Sequence, residues 1–103
     1  MDDILAWLQR WYQRQCNGEW EHTLGVTIET LDNPGWRVTI DLTGTQLEGR
    51  PYDGYRRESD PDSWLHCQVV EAQFRGAGGP NDLTEILQRF RNWAEDADQR
   101  PLA

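Results

Sequence analysis

Leu24-Gly25-Val26-Thr27-Ile28-Glu29-Thr30 and Trp36-Arg37-Val38-Thr39-Ile40-Asp41-Leu42 alternate apolar and polar residues with a period of two. That is the period of a strand with one buried face, because successive side chains on a strand point to opposite sides. Between the runs, Asp32-Asn33-Pro34-Gly35 carries turn chemistry. Proline pre-sets the first corner, and glycine accepts the positive φ at the second corner of a type II turn. The stretch predicts an antiparallel hairpin. Leu24, Val26, Ile28, Trp36, Val38 and Ile40 form its core face, and Thr27, Glu29, Arg37, Thr39 and Asp41 face the other way, with no obvious cover.

Outward from the hairpin, the period changes to that of a helix. Ile4, Leu5, Leu8, Trp11 and Tyr12 recur at helical spacing behind Asp2 or Asp3, either of which can cap. Asn17-Gly18 is a stop signal, so the first helix spans residues 3–16, with Trp7 off its stripe and partly exposed. Residues 44–63 are punctuated by Gly44, Gly49, Pro51, Gly54 and Pro61, which predicts a loop and a weak edge strand near residues 52–57. Trp64-Leu65-His66-Cys67-Gln68-Val69-Val70 reads as a strand, followed through a turn at Glu71 by a short partner over residues 72–75. Gly76-Ala77-Gly78-Gly79-Pro80 then breaks the pattern. The last helix starts at Asn81 or Asp82 with the stripe Leu83, Ile86, Leu87, Phe90, Trp93 and Ala94, and the acidic tail 95–103 is expected to fray. The order is helix, four or five antiparallel strands, helix. An α+β fold with both helices on one face of the sheet satisfies every apolar stripe.

The 103 residues suit one domain, taken as 1–103 with that frayed end, and 37% of them are hydrophobic, six being Trp. Aspartate and glutamate number 18 against 10 basic residues, all Arg, for a net charge of -8. Such a surface repels nucleic-acid backbone and anionic membrane, and it suits a basic protein partner or simply solubility. The opening Met1-Asp2-Asp3-Ile4-Leu5-Ala6-Trp7-Leu8-Gln9-Arg10 is neither a signal peptide nor a membrane span, which argues for the cytoplasm, with Cys16 and Cys67 as free thiols.

No catalytic constellation emerges. His22 and His66 are the only imidazoles, and no HxxxH or CxxC spacing exists for a metal. His66 and Cys67 are strand neighbours and point to opposite faces, so they cannot pair as base and nucleophile. Gly76-Ala77-Gly78-Gly79-Pro80-Asn81 resembles a phosphate cradle but lacks the Lys-Ser/Thr of a P-loop, and Pro80 removes a donor. No cofactor is expected. What stands out is aromatic and acidic residues that the core does not obviously demand, since Trp and Tyr dominate binding hot spots. Trp7, Glu19, Trp20, Glu21, His22, Glu29, Asp32 and Asp41 are the candidate partner-binding residues, with Tyr52, Tyr55 and Trp64 as further aromatics. For any one ring, completing a small core is an equally good explanation.

Trp11-Tyr12 followed by Gln15-Cys16, then Gly18-Glu19-Trp20-Glu21-His22, resembles the opening of the immunity protein 53 family. So do Ile28-Glu29-Thr30-Leu31-Asp32-Asn33-Pro34-Gly35-Trp36, Asp41-Leu42-Thr43-Gly44-Thr45 and Gly78-Gly79-Pro80-Asn81. The resemblance implies an antitoxin of a bacterial polymorphic toxin system, encoded beside its toxin. It carries no catalytic or contact residue onto this chain. The expected function is stoichiometric occlusion of a cognate toxin, such as a basic nuclease domain whose phosphate groove would meet Glu29 and Asp41. The competing readings are a small hydrolase or transferase built on Glu19-Trp20-Glu21-His22, and an adaptor subunit with no toxin involved.

Overall fold

A computed structural model describes residues 3–60 and 62–99 of the chain. Helix α1 (Ile4–Gln15) begins where the Asp3 carboxylate accepts the backbone N–H of Leu5 at 3.0 Å, and it buries Ile4, Trp7, Leu8 and Trp11. Asp2, the other capping candidate, lies outside the described residues. A short helix α2 (Trp20–Thr23), not foreseen from the sequence, follows the Asn17-Gly18 stop. Then come β1 (Val26–Leu31), β2 (Gly35–Asp41), β3 (Tyr55–Asp60), β4 (Ser63–Val70), β5 (Gln73–Gly78) and helix α3 (Leu83–Gln99). The five strands form one antiparallel sheet in the order β1-β2-β5-β4-β3. α1 and α3 pack on one face of it, as the apolar stripes required.

Register confirms the core face of the hairpin: Val38 pairs with Ile28 and Gly76, and Ile40 with Val26 and Phe74. On that face Val38, Ile40, Leu65, Cys67 and Phe74 meet Ile86, Leu87 and Phe90 of α3. Phe90 is the hub, edge-on to Trp7, Trp11, Phe74 and Trp93 with ring centroids 5.0–6.3 Å apart. Trp7 is therefore 7% exposed rather than half in water. The periodicity misplaced it because α1 is flanked by α3 as well as by the sheet, which widens its buried arc.

Two turns differ from expectation. The Asn33–Pro34 bond is cis, and Gly35 is the first residue of β2 instead of a type II corner. Glycine is demanded there by crowding, since a Cβ on Gly35 would run into the Gly78 carbonyl and come within 3.4 Å of the Trp64 ring. The glycine-rich run that looked like a strand-breaking loop is mostly β5, which continues through Gly78. A methyl on Gly76 would collide with Ile86 of α3, and one on Gly78 would sit 3.0 Å from Leu65 and 3.1 Å from Asp82. Glycine here marks a helix lying hard against a strand. The tight turn at Glu71-Ala72, both with positive φ, was placed correctly.

Within residues 44–63 the weak edge strand is β3, starting at Tyr55, and the loop before it is pinned by buried Leu42 and Leu47. Tyr52 adds a contact to Phe74 and Trp93, and Trp93 Nε1 donates to the Pro51 carbonyl at 3.0 Å. Helix α3 continues through Gln99, into the tail expected to fray; residues 100–103 lie outside the described set.

The α3 N-terminus is tied to β3 by charge. Asp82, buried, accepts the N–H groups of Gly79 at 3.1 Å and Trp64 at 3.2 Å. Arg57 of β3 bridges Asp82 at 3.6 Å and Glu85 at 2.8 Å, and Arg89 reaches Glu85 at 3.1 Å while stacking 3.3 Å over the Tyr55 ring. Hydrogen bonds from Arg57, then from Arg89, hold the Glu85 carboxyl below the usual carboxylate range.

Two outcomes follow from this packing. Phe90→Ala should lower the unfolding free energy by about 3–5 kcal/mol in urea titrations, the usual cost of deleting a fully buried ring. Because the folded-state pKa of Glu85 is depressed, its contribution is present above the unfolded-state pKa and lost as pH falls through the folded-state value. Glu85→Gln should accordingly be less stable than the parent near neutrality, and the gap should narrow as pH falls below the ordinary glutamate value of about 4.3.

Candidate functional site

The residues singled out as partner-binding fall into two groups once folded. Trp20 is a core residue, 6% exposed, with its Nε1 donating to the Thr43 carbonyl at 2.8 Å and its ring edge-on to Trp11 and Tyr12. With Trp7 also buried, neither ring is on the surface as the sequence suggested. The segment around Trp20 is a local lock. Asn17 Oδ1 accepts the N–H groups of Glu19 and Trp20 at 3.0 and 2.9 Å, and the Glu21 carboxylate reaches back to those of Asn17 and Gly18. Such reciprocal capping satisfies the donors that a helix start leaves open. Backbone N–H groups, first its own and then those of Asn17 and Gly18, keep the Glu21 carboxyl below its ordinary range. Glu21 is thus engaged as a cap, while Glu19 and His22 are exposed beside it.

On the open face of the sheet, Glu29 and Asp41 do not present free carboxylates. Glu29 meets Arg37 across the β1–β2 ladder at 2.8 Å. Asp41 accepts the Gly25 N–H at 2.9 Å and the Gln73 amide at 2.8 Å. Three carboxylates on this face, Glu29, Asp41 and Glu58, are matched by three guanidiniums, Arg37, Arg56 and Arg75. It is charge-balanced, although the chain as a whole carries -8. Half-buried Trp64 extends over Gly35 there and covers part of the sheet. Asp32 lies exposed at the β1–β2 turn.

What sequence reasoning missed is a groove on the helix side. Leu8, Gln9 and Tyr12 of α1 face Leu24, Gly25 and Val26 across a cleft of about 430 Å³. The exposed large hydrophobic residues among those described are Leu5 at 48%, Tyr12 at 40% and Ile28 at 37%. Leu5 and Tyr12 share the helical face of Leu8 and Gln9, and Ile28 continues β1 beyond Val26 on the same sheet face. The signal was available in principle. The α1 stripe holds more apolar residues than one sheet contact uses, and β1 carries an apolar face at the edge of the sheet.

Chemistry elsewhere is sparse. Burial raises the Cys67 thiol to about 11, and His66 beside it points to the opposite face of β4. Cys16 donates its thiol to the Tyr12 carbonyl at 3.4 Å. Among the described residues, no group of three His, Cys, Asp or Glu side chains converges to hold a metal, and no helix is long and apolar enough to cross a membrane.

The motifs that resembled a family have structural roles that explain one another. Trp20 is locked by Asn17 and Glu21, and Trp36 Nε1 donates to the Pro80 carbonyl at 3.0 Å, joining the Asn33-Pro34-Gly35 turn to the Gly79-Pro80-Asn81 helix start. Comparisons with curated proteins and with solved structures returned no match. A family model described as immunity protein 53 matches residues 5–95, from α1 almost to the end of α3. With nearly the whole chain matched, this protein belongs to the immunity protein 53 family.

Proposed function

We propose that this protein neutralises a cognate bacterial toxin in the cytoplasm by binding it one-to-one and occluding its active surface, without turnover. The observation that carries this reading is the family match over residues 5–95, which suggests a toxin-neutralising role. The site chemistry is consistent with binding rather than catalysis. In the stretch Glu19-Trp20-Glu21-His22, on which a hydrolase or transferase would be built, Glu21 is occupied by backbone donors and Trp20 is buried, leaving Glu19 and His22 as its exposed groups.

The partner we infer is a protein with a basic surface, of the kind a nuclease active site presents, and neither nucleic acid nor membrane itself. Of the candidate contact residues, Glu19, His22, Glu29 and Asp32 stay accessible, whereas Trp7, Trp20, Glu21 and Asp41 serve the fold that presents them. Asp32 is exposed directly after β1, and Glu19 is exposed just before α2. Such charge would attract a cationic partner over roughly one Debye length, about 10 Å at 0.1 M salt.

Inhibition of the toxin domain encoded beside this protein should titrate to a sharp endpoint at one equivalent and be unchanged by His22→Ala. Protection at well below one equivalent, lost in that variant, would sink the binding reading in favour of an enzyme. Glu19→Lys combined with Asp32→Lys should leave the melting curve intact and slow association by roughly tenfold at low ionic strength, with the difference shrinking as salt rises. A salt-independent on-rate, identical in parent and variant, would assign the acidity to solubility alone.

A further inference from the structure

The two free edges of the sheet are built differently. β3 is interrupted by a register shift between Glu58 and Asp60, carries Arg56, Arg57 and Glu58, and is strapped to α3 through Arg57 and Tyr55. Charge, irregularity and a covering element are the means by which proteins blunt an edge strand. β1 has none of them. Val26-Thr27-Ile28-Glu29-Thr30-Leu31 is regular along its whole pairing with β2, contains no proline, and its lone charge is turned to the open face and bound to Arg37. Its helix-side residue Ile28 is uncovered.

Which backbone groups of β1 are free follows from the ladder. Asp41 N–H donates to the Gly25 carbonyl, so Gly25, Thr27, Glu29 and Leu31 direct their backbone groups at β2. Alternation then turns the N–H and C=O of Val26, Ile28 and Thr30 outward. Those three residues also have their side chains on the helix face, where Val26 lines the cleft with Leu8, Gln9, Tyr12, Leu24 and Gly25. Unpaired strand edge and apolar groove thus coincide.

We infer that this edge and groove take an extended segment of the toxin, which adds as a sixth strand beside β1. It would bond to the outward backbone of Val26, Ile28 and Thr30 and lay alternate apolar side chains against Ile28 and the α1 groove. The inference rests on the toxin-binding reading and names the surface that performs it. Strand addition takes affinity from main-chain hydrogen bonds and selectivity from pockets for every second side chain. Charge selects the occupant. With Asp32 exposed directly after β1 and -8 on the chain, the added segment is favoured by Arg or Lys at its end and Val, Ile or Leu at its centre. A second copy of this chain fits badly, because each copy carries -8.

The test uses the toxin domain encoded beside this protein. In the complex, amide exchange at Val26, Ile28 and Thr30 should slow at least tenfold relative to the free protein. Ile28→Pro removes an outward N–H and no bond to β2, so it is tolerated on an edge strand and should speed dissociation by roughly tenfold or more. Ile28→Thr keeps strand preference but loses the apolar contact and should show a smaller increase, giving a second measure if the proline variant melts early. His66→Ala on the open face should dissociate like the parent. A complex in which those three amides exchange as freely as before, or which Ile28→Pro and Ile28→Thr leave unchanged, overturns the edge while leaving toxin neutralisation standing. Failure of the parent to bind the toxin domain at all overturns both. Protection of the same amides at micromolar concentration without toxin, with a doubled mass in solution, assigns the edge to a second copy instead.

Discussion

Helix α3 lies so close to β5 that only glycine fits beneath it. Ile86 occupies the space a side chain on Gly76 would need, and Asp82 sits against Gly78 and Gly79 with its carboxylate on the Gly79 and Trp64 amides. That approach fixes both the height and the lateral position of the helix. Phe90 then reaches the centre of the sheet, and Glu85 meets Arg57 at the β3 edge. α1 packs against α3 through Trp7 and Trp11 on Phe90. The helical layer is therefore registered on the β5 and β3 side of the sheet, and the β1 margin is left short of cover, with Ile28 showing what remains bare.

The hairpin, the sheet face it buries and both helices were legible because each rests on a local period, two for strands and 3.6 for helices. The failures share a cause. Trp7, Trp20, Gly35 and the Gly76-Ala77-Gly78 run are all decided by something distant in sequence: α3 for Trp7 and Gly76, the loop carbonyl of Thr43 for Trp20, and β5 and Trp64 for Gly35. Gly35 was read for its conformational freedom when its function is the absence of a side chain. Likewise, Glu29 and Asp41 were correctly assigned to the open face, but alternation carries no information about their cross-strand partners, Arg37 and Gln73. Of the candidate site, the acidic residues were visible and their engagement was not. The apolar residues of the α1–β1 groove were visible in the sequence, but no linear pattern states which of them a neighbouring element fails to cover.

Charge placement changes once those partners are known. A balanced open face means that the excess acid of the chain lies off the sheet centre, in caps, turns and helix ends. Some of it is engaged: Glu21 caps α2, Asp82 caps α3 and Glu85 anchors Arg57. What remains free to act at a distance includes Glu19 and Asp32, residues bound neither to a guanidinium nor to the ladder. In the proposed complex, steering would therefore fall to such exposed residues, which can vary without touching the core.

A small inhibitor faces conflicting demands, and dividing them between two kinds of contact resolves the conflict. Exposed carboxylates raise the encounter rate but contribute little once the complex forms, because solvent and salt screen them. Slow release instead requires desolvated contact with little ordering cost. A strand already held in the sheet by β2 offers its outward N–H and C=O groups in fixed geometry, so pairing them orders only the incoming chain. An adjoining groove with Ile28 and Tyr12 already exposed adds apolar burial at roughly 25 cal/mol per Å² without rearranging the core. Main-chain pairing alone would accept almost any extended segment, which is a route to aggregation as much as to recognition. In the proposed complex, Asp32 after β1 and the -8 of the chain would counter that by favouring a cationic segment and disfavouring a second acidic copy. On that proposal, the features that leave β1 open to a partner would also bear on which partner it admits.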